Sequence, residues 1–184
     1  MSEPTVEPLA GPPTSTPWVP LWPVAPASAK TLPVKLTNPR ATTLQGNSFF
    51  TVAGLTAWDF GHWEFVKDVD GRIYGIVRLD GIANTGNLKL SLVGANGAGV
   101  TRISLKSHQT KDGIAINPAS LVTSYTPQDV TVAAGYIQRD ISFGIGGLAT
   151  YTILILEITH EGSHANDTLA VNTMLLDASF EVTG

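Results

Sequence analysis

The residues with the most suggestive spacing for chemistry form the run His160-Glu161-Gly162-Ser163-His164, which matches the H-E-x-x-H pattern. In zinc peptidases this spacing places two histidines one helical turn apart on the same face, where both bind the metal and the glutamate activates a water molecule. The chemistry therefore depends on a helix that runs through the motif.

The residues around this motif predict a strand and a loop instead of a helix. The run Ile153 to His160 is rich in β-branched residues, Gly162 lies inside the motif, and Ala165 to Thr168 has a loop composition. The extended zinc motif would also need glycine and histidine where Asp167 and Ala170 stand. We therefore predict a polar loop joining two strands, no metal site and no enzymatic activity.

Other groupings carry weaker chemical signals. Asp59, Asp68 and Asp70 are candidates to surround a calcium ion, but the Asp-Gly step at Asp70 is first of all a turn signature. The chain has no cysteine, which excludes disulfides, thiolate metal sites and thiol nucleophiles. His62 and His108 stand alone in the sequence, and solvated or core hydrogen-bonding roles are expected for them. We predict neither a cofactor nor a catalytic residue.

The charge composition argues against nucleic acid as a partner. The net charge is −4, and the eleven Lys and Arg residues are scattered singly, so the sequence contains no basic patch. The longest apolar run, Ile153 to Leu156, is far shorter than the roughly 20 residues of a membrane span. Prolines interrupt every apolar stretch near the N-terminus, so no signal peptide is predicted. We predict no nucleic acid and no membrane partner.

Proline divides the chain into two parts. Ten of the twelve prolines fall within the first 39 residues, and each removes a backbone donor and sets its own φ to about −65°. We predict an extended proline-rich arm over residues 1–46 and one β domain over residues 47–184. An apolar island in the arm is predicted to bind a neighbouring subunit or another protein, with folding back on the domain and disorder as alternatives; it contains Trp18, Leu21, Trp22 and Val24.

Short β-branched runs separated by glycine and polar residues follow the arm and predict an all-β domain, either a sandwich or a barrel. Residues 32–37 alternate and predict an edge strand on entry. Asp68 to Gly71 predicts a hairpin turn between strands at 63–67 and 72–79. One helical turn is expected over 119–124. The other strands are predicted at residues 49–52, 58–66, 88–92, 100–106, 129–133, 136–144, 150–158, 168–172 and 175–182.

One of these strands, Tyr151 to Ile158, is apolar on both faces. A strand of this kind is either central in the sandwich or buried against another subunit. The second interpretation predicts that Tyr151, Ile153 and Ile155 form a subunit interface.

The C-terminal passage resembles the end of small jelly-roll proteins of phage virions. The resemblance rests on the strand after Tyr151, on the Asp167-Thr168-Leu169 step, and on the alternating run Asp177-Ala178-Ser179-Phe180-Glu181-Val182. It covers residues 48–184 and implies a single antiparallel β-sandwich of jelly-roll type. No catalytic residue comes with it.

This resemblance implies a capsid decoration, or cement, protein. Such a protein binds the outer surface of the virion head as a homotrimer, contacts the major capsid protein through its body and arm, and is made in the host cytoplasm. The alternative is a carbohydrate-binding β-sandwich module of a tail fibre or an extracellular protein. In that case Trp58, Trp63 and Tyr74 are the candidates for a sugar-stacking platform.

Overall fold

The computed structural model describes residues 30–37, 44–51, 59–79, 85–113, 122–148 and 151–183. These residues form twelve β-strands and no helix. The strands are β1 (Lys30–Pro33), β2 (Lys35–Thr37), β3 (Leu44–Thr51), β4 (Asp59–Phe65), β5 (Asp70–Arg78), β6 (Gly86–Gly94), β7 (Gly99–Thr110), β8 (Val122–Ser124), β9 (Gln128–Val132), β10 (Arg139–Ile145), β11 (Ile153–Glu161) and β12 (Thr173–Val182).

The described strands form two antiparallel sheets of six strands each, which confirms the predicted β-sandwich. Sheet I has the order β10-β6-β12-β4-β3, with β1 also paired to β12. Sheet II has the order β2-β5-β11-β7-β8, with β9 also paired to β7. Most connections pass from one sheet to the other, so strands that follow each other in the chain usually lie in different layers.

The core lies between the two sheets and is built from alternate residues of the strands. Leu88, Leu90 and Leu92 of β6 point into it from sheet I. Leu154, Leu156 and Ile158 of β11 point into it from sheet II, and all six side chains are fully buried. Burial of a large aliphatic side chain contributes about 1.5–3 kcal/mol, so these two strands account for much of the stability.

A β-bulge in β12 changes which of its side chains point into the core. The register with β6 shifts between Leu175 and Asp177. Leu175 is buried before the bulge, and Ala178 and Phe180 are buried after it, so the inward positions change from odd to even numbers. The extra residue, Leu176, takes up the change of phase.

The predicted hairpin around Asp68 to Gly71 is wrong. A turn is present two residues earlier, where Val69 N donates to the carbonyl of Val66 and Asp68 has a positive φ of 59°, while Asp70 and Gly71 begin β5. However, β4 pairs in sheet I and β5 pairs in sheet II. The turn therefore carries the chain around the corner of the sandwich, because a tight turn shortens the connection without requiring its two strands to pair with each other.

Two further local predictions need correction. Residues 168–172 are a loop and not a strand, and the backbone N–H groups of Thr168 and Leu169 both donate to the carbonyl of Val100. Residues 122–124 form β8 instead of the end of a helical turn, because they pair with β7 at Lys106 to His108. The start of that expected turn lies outside the described residues.

The predicted entry strand is confirmed and is divided between both sheets. Lys30–Pro33 pairs with the end of β12 in sheet I, and Lys35–Thr37 pairs with β5 in sheet II. These seven residues therefore join the chain that precedes them directly to the sandwich. The boundary between arm and domain at residues 46 and 47 stays a prediction. In the described ranges no helix has the length and apolar character needed to cross a membrane.

Candidate functional site

The outer face of sheet II brings together residues that are far apart in the sequence. Strand β11 lies between β5 and β7, and its outward residues pair with outward residues on both neighbours. Side chains directly opposite each other in an antiparallel sheet are close enough to interact. Three rows result: Ile76, Ile155, His108 and Val122; then Tyr74, Glu157 and Lys106; then Arg72, Thr159 and Ser104.

These rows line two adjoining half-open cavities of about 360 Å³ and 470 Å³. Lys106 and Glu157 line both cavities, so the two form one continuous depression, which we call the sheet-II groove. The groove follows β11 from Ile155 to Glu161, a length of about 20 Å at the rise of a β-strand. A depression of this size and length suits a small molecule or a segment of a polymer.

The first cavity forms the apolar end of the groove. It is lined by the half-buried Tyr74 and Ile155 and by His108 and Val122. Val122 leaves 45% of its surface exposed, and Ile76 in the same row leaves 39%. An aromatic ring and aliphatic side chains at an accessible surface provide an apolar contact area for a ligand.

The centre of the groove carries opposite charges. Lys106 Nζ lies 3.5 Å from Glu157 Oε1. The lysine side chain is 52% exposed and the glutamate side chain 21% exposed. Because an exposed ion pair is worth little, both groups remain able to exchange hydrogen bonds with a ligand.

The second cavity forms the polar end of the groove, where Asp70 holds the turn after β11. Asp70 Oδ1 accepts hydrogen bonds from Ser163 N at 3.0 Å and from Ser163 Oγ at 2.9 Å. These bonds, the backbone one first, hold the pKa of Asp70 below its ordinary value of 3.8. The carboxylate is thus ionised at neutral pH and fixes the position of Ser163 and its neighbour His164 at this end.

We expect the Asp70→Asn variant to be less stable than the wild type at neutral pH, and the difference to shrink in acid. The folded protein lowers the pKa of Asp70, so its contribution is complete above 3.8 and disappears as the pH falls through the lower folded value. Melting temperatures from pH 7 to pH 2 measure this. Ser163→Ala removes one donor and should reproduce part of the effect. Parallel curves for wild type and Asp70→Asn would contradict the assignment.

The H-E-x-x-H run adopts the predicted strand and turn. His160 is buried within β11, whereas His164 lies in the following turn beside the polar end of the groove. His160 Nε2 lies 2.9 Å from Asp167 Oδ2, and His164 Nδ1 accepts from Asn166 N at 3.1 Å. In the ranges described, no cluster of three His, Cys, Asp or Glu side chains has a geometry that holds a metal ion.

Arg102 of β7 forms hydrogen bonds to residues on both sides of the same turn. Its backbone N–H donates to Asp167 Oδ2 at 2.9 Å, and its guanidinium donates to Asp129 at 2.6 Å and to Glu161 at 2.8 Å. The bonds to Asp129 and Glu161 raise the pKa of Arg102. The bond from Arg102 is also the main reason why the pKa of Asp129 is lowered. Arg102 therefore links Glu161 and Asp167, which lie on either side of this turn, to β7, and it also binds Asp129 of β9.

Two of the three predicted subunit-interface residues lie on one strand. Ile153 and Ile155 are half-buried on the outer face of β11, and Ile155 lines the apolar end of the groove. Tyr151 precedes this strand and packs against the core. One of the two apolar faces of β11 is explained by the core, because the inward residues of this strand are buried there. The subunit interface stays a prediction, and the arm residues Trp18, Leu21, Trp22 and Val24 lie outside the described residues.

The predicted sugar-stacking platform is wrong as a set. Trp63 lies on β4 in sheet I and packs against the core, whereas Tyr74 lies on the outer face of sheet II. Trp58 lies outside the described residues. The prediction assumed that 63 and 74 belong to one hairpin, and the passage from sheet I to sheet II separates them. Tyr74 remains as the aromatic residue of the groove.

Sequence reasoning missed three residues of the groove: Lys106, His108 and Glu157. Each follows the alternation of its strand, so its outward direction was predictable. Their meeting was not, because it depends on the register between β7 and β11.

No protein-family model matches this sequence, and no curated protein matches it. Among solved structures, it is similar to TmCBM61 in complex with β-1,4-galactotriose, with 12% identity, a TM-score of 0.43, and coverage of 83% of this chain and 89% of the other. It is also similar to the CBM22-1 xylan-binding domain of Paenibacillus barcinonensis Xyn10C, with 6% identity, a TM-score of 0.44, and coverage of 82% and 85%.

A third similar structure is the enzymatically active domain of tailspike protein 4 from bacteriophage CBA120. The identity is 7%, the TM-score is 0.40, and the match covers 85% of this chain and 19% of the other. The structural neighbours thus include carbohydrate-binding β-sandwich modules and a phage tailspike domain. At these identities the likeness is limited to the fold.

Proposed function

We propose that this protein is a carbohydrate-binding β-sandwich module of a tail fibre or an extracellular protein, and that a glycan chain lies along the sheet-II groove. The observation that supports this most is the groove itself, in which a half-buried tyrosine lies beside Lys106 and Glu157 on an open sheet face. The proposal places the ligand on residues of β5, β7 and β11.

A glycan fits this surface because a sugar ring has both apolar and polar sides. Its C–H groups contact an aromatic face, as Tyr74 offers, while its hydroxyls need donors and acceptors nearby. The Glu157 carboxylate accepts and the Lys106 ammonium donates, so the central row supplies both kinds of partner. The open ends of the groove allow a chain to extend past them.

We propose binding without catalysis. Glycoside hydrolysis by two carboxyl groups needs one that stays protonated as a general acid. Two carboxylates in the described lining of the groove accept hydrogen bonds, Asp70 from Ser163 and Glu161 from Arg102, and Glu157 forms an ion pair with Lys106. The pKa of Asp70 is lowered, which is the opposite of what a general acid requires.

A glycan array with the full chain tests the function, followed by calorimetry on the best ligand. We expect Lys106→Ala to weaken binding by about tenfold, because it removes a charged hydrogen-bond donor from the centre of the groove. Lys89→Ala is the matched control, since Lys89 forms an ion pair with Glu181 in sheet I. Release of new reducing ends from the bound glycan would contradict the non-catalytic role.

A second candidate is the capsid decoration protein that the sequence resemblance implies. Its support is the proline-rich segment that precedes β1 and β2. These two strands pair with different sheets and so join the segment to both sheets of the sandwich. In this function the partners are the major capsid protein and two further copies of the chain, on the outer surface of the virion. Trp18, Leu21, Trp22 and Val24 would anchor the arm.

Two measurements separate the candidates. Light scattering after size exclusion gives the mass of the particle that the full chain forms in solution. Incubation of the protein with capsid particles that lack it measures its attachment. A mass of three chains, attachment lost on deletion of residues 1–29, and no glycan binding would replace the first proposal with the second. The deletion ends before Lys30 because β1 begins there.

A further inference from the structure

His108 has an unusual environment at the apolar end of the groove. Only 8% of its surface is exposed, and its Nε2 atom is buried without a hydrogen-bond partner. Its cross-strand neighbours on the outer face are Ile155 and Val122, which offer no polar atom. A buried nitrogen without a partner is costly to the fold, so its retention needs a reason.

The cavity beside His108 supplies that reason. His108 lines it together with Tyr74, Ile155 and Val122, and Lys106 and Glu157 close the side toward the centre of the groove. The torsion that orients an imidazole ring is broad, so we expect the ring to be able to turn Nε2 toward the cavity. A ligand group that enters there gives the nitrogen its missing partner.

We propose that the apolar end of the groove is a subsite for the acetamido group of an N-acetylated sugar, with His108 Nε2 as its hydrogen-bond partner. This inference rests on the proposed carbohydrate-binding function and specifies its ligand. The acetamido carbonyl accepts from a protonated Nε2, and the acetamido N–H donates to an unprotonated one, so either tautomer of the ring serves. The methyl group contacts Ile155 and Val122.

The shape and polarity of the subsite favour this group over the alternatives. A free hydroxyl would satisfy Nε2 but would leave the aliphatic side chains of Ile155 and Val122 against a polar surface. An anionic substituent would meet Glu157 as well as Lys106, whose charges oppose each other. An acetamido group joins one polar amide to one methyl group. The amide suits the nitrogen of His108, and the methyl group suits its two aliphatic neighbours.

The test compares ligands that differ at one position. The tetramers of β-1,4-linked N-acetylglucosamine, glucosamine and glucose carry an acetamido, an amino and a hydroxyl group at carbon 2, and N-acetylgalactosamine and galactose form a second pair. We expect the wild type to prefer the acetylated member of each pair by about tenfold, the equivalent of one good hydrogen bond with its methyl contact. Equal affinities for acetylated and free sugars would overturn the inference.

Variants of His108 test the role of the ring nitrogen. His108→Met fills a similar volume without a polar atom, so we expect its preference for acetylated sugars to fall to about twofold or less while its melting temperature stays the same or rises. His108→Gln offers an amide near the position of Nε2 and should restore part of the preference. Lys89→Ala, in sheet I, should keep the wild-type preference. An unchanged preference in His108→Met would refute the assignment.

The outcomes separate this inference from the proposed function. Binding of sugars without preference for acetylation refutes the subsite and leaves the groove as a glycan site. Binding weakened about tenfold in Lys106→Ala together with a preference abolished in His108→Met supports both. No binding of any array glycan by the wild type refutes the function and the subsite with it.

Discussion

The Tyr74→Ala variant is expected to lose glycan binding by about 30-fold or more, the size typical of an aromatic residue at the centre of a binding surface. Tyr74 lies in the middle row of the sheet-II groove, directly opposite Glu157 and near the apolar end. A ligand that follows the groove must pass over its ring. Calorimetry with the best array glycan measures the loss.

The control for this prediction is Tyr74→Phe, which keeps the ring and removes the hydroxyl. It should bind within about threefold of the wild type, because the stacking contact is retained and one hydrogen bond at most is lost. Since the Tyr74 side chain points away from the core, both variants should melt within a few degrees of the wild type. Wild-type affinity in Tyr74→Ala would show that the ligand does not lie across the centre of this groove.

The Gly86→Ala variant is expected to lose about 3 kcal/mol of unfolding free energy, or roughly 10 °C in melting temperature. Gly86 begins β6 and is buried against β12. A Cβ atom added there would overlap the ring of Phe180 and lie 2.7 Å from the carbonyl oxygen of Glu181. Phe180 is fully buried in the core, so its ring cannot move aside without disturbing its neighbours.

Gly144→Ala is the matched control for this effect. Gly144 lies on β10 beside the same strand, and its partner in the register is Asn87. A Cβ atom at this position would have Asn87 Oδ1 at 3.6 Å as its nearest contact, which is an ordinary van der Waals distance. Thermal or denaturant unfolding should show Gly144→Ala close to the wild type. Similar stabilities for the two variants would mean that the approach of β6 to Phe180 does not limit the core.

Alternation within strands was readable from the sequence. The runs around Leu88 to Leu92 and Val100 to Lys106 predicted strands with one inward face, and the structure confirms both. The doubly apolar run after Tyr151 predicted a strand that is either central in the sandwich or buried against another subunit, and β11 is central in sheet II, between β5 and β7. These predictions succeeded because successive side chains in a strand point to opposite faces, a property of the local backbone.

Local sequence signals did not predict which partner a segment would pair with. A turn forms at Val66 to Val69, two residues before the predicted position, and the strands on its two sides join different sheets. The run 168–172 has a strand composition, yet it remains a loop. Both errors have the same origin, since the pairing partner of a segment is decided by the whole sandwich and not by its own residues.

The candidate site was less predictable than the fold. The H-E-x-x-H run was correctly interpreted as a strand and a turn, because the helix that zinc chemistry needs is opposed by its β-branched and glycine residues. The aromatic candidates were only partly right, with Tyr74 in the groove and Trp63 against the core. His108 stood alone in the sequence, and the role that we propose for it depends on its neighbours across the sheet.

The sequence by itself determined the all-β character of the domain, the proline-rich composition of its N-terminal segment and the inward or outward direction of many side chains. These properties depend on residues a few positions apart. The tertiary structure alone decided that Tyr74, Lys106, His108 and Glu157 line one groove. They belong to three strands far apart in the chain, and the register that aligns them follows from packing two sheets around one core.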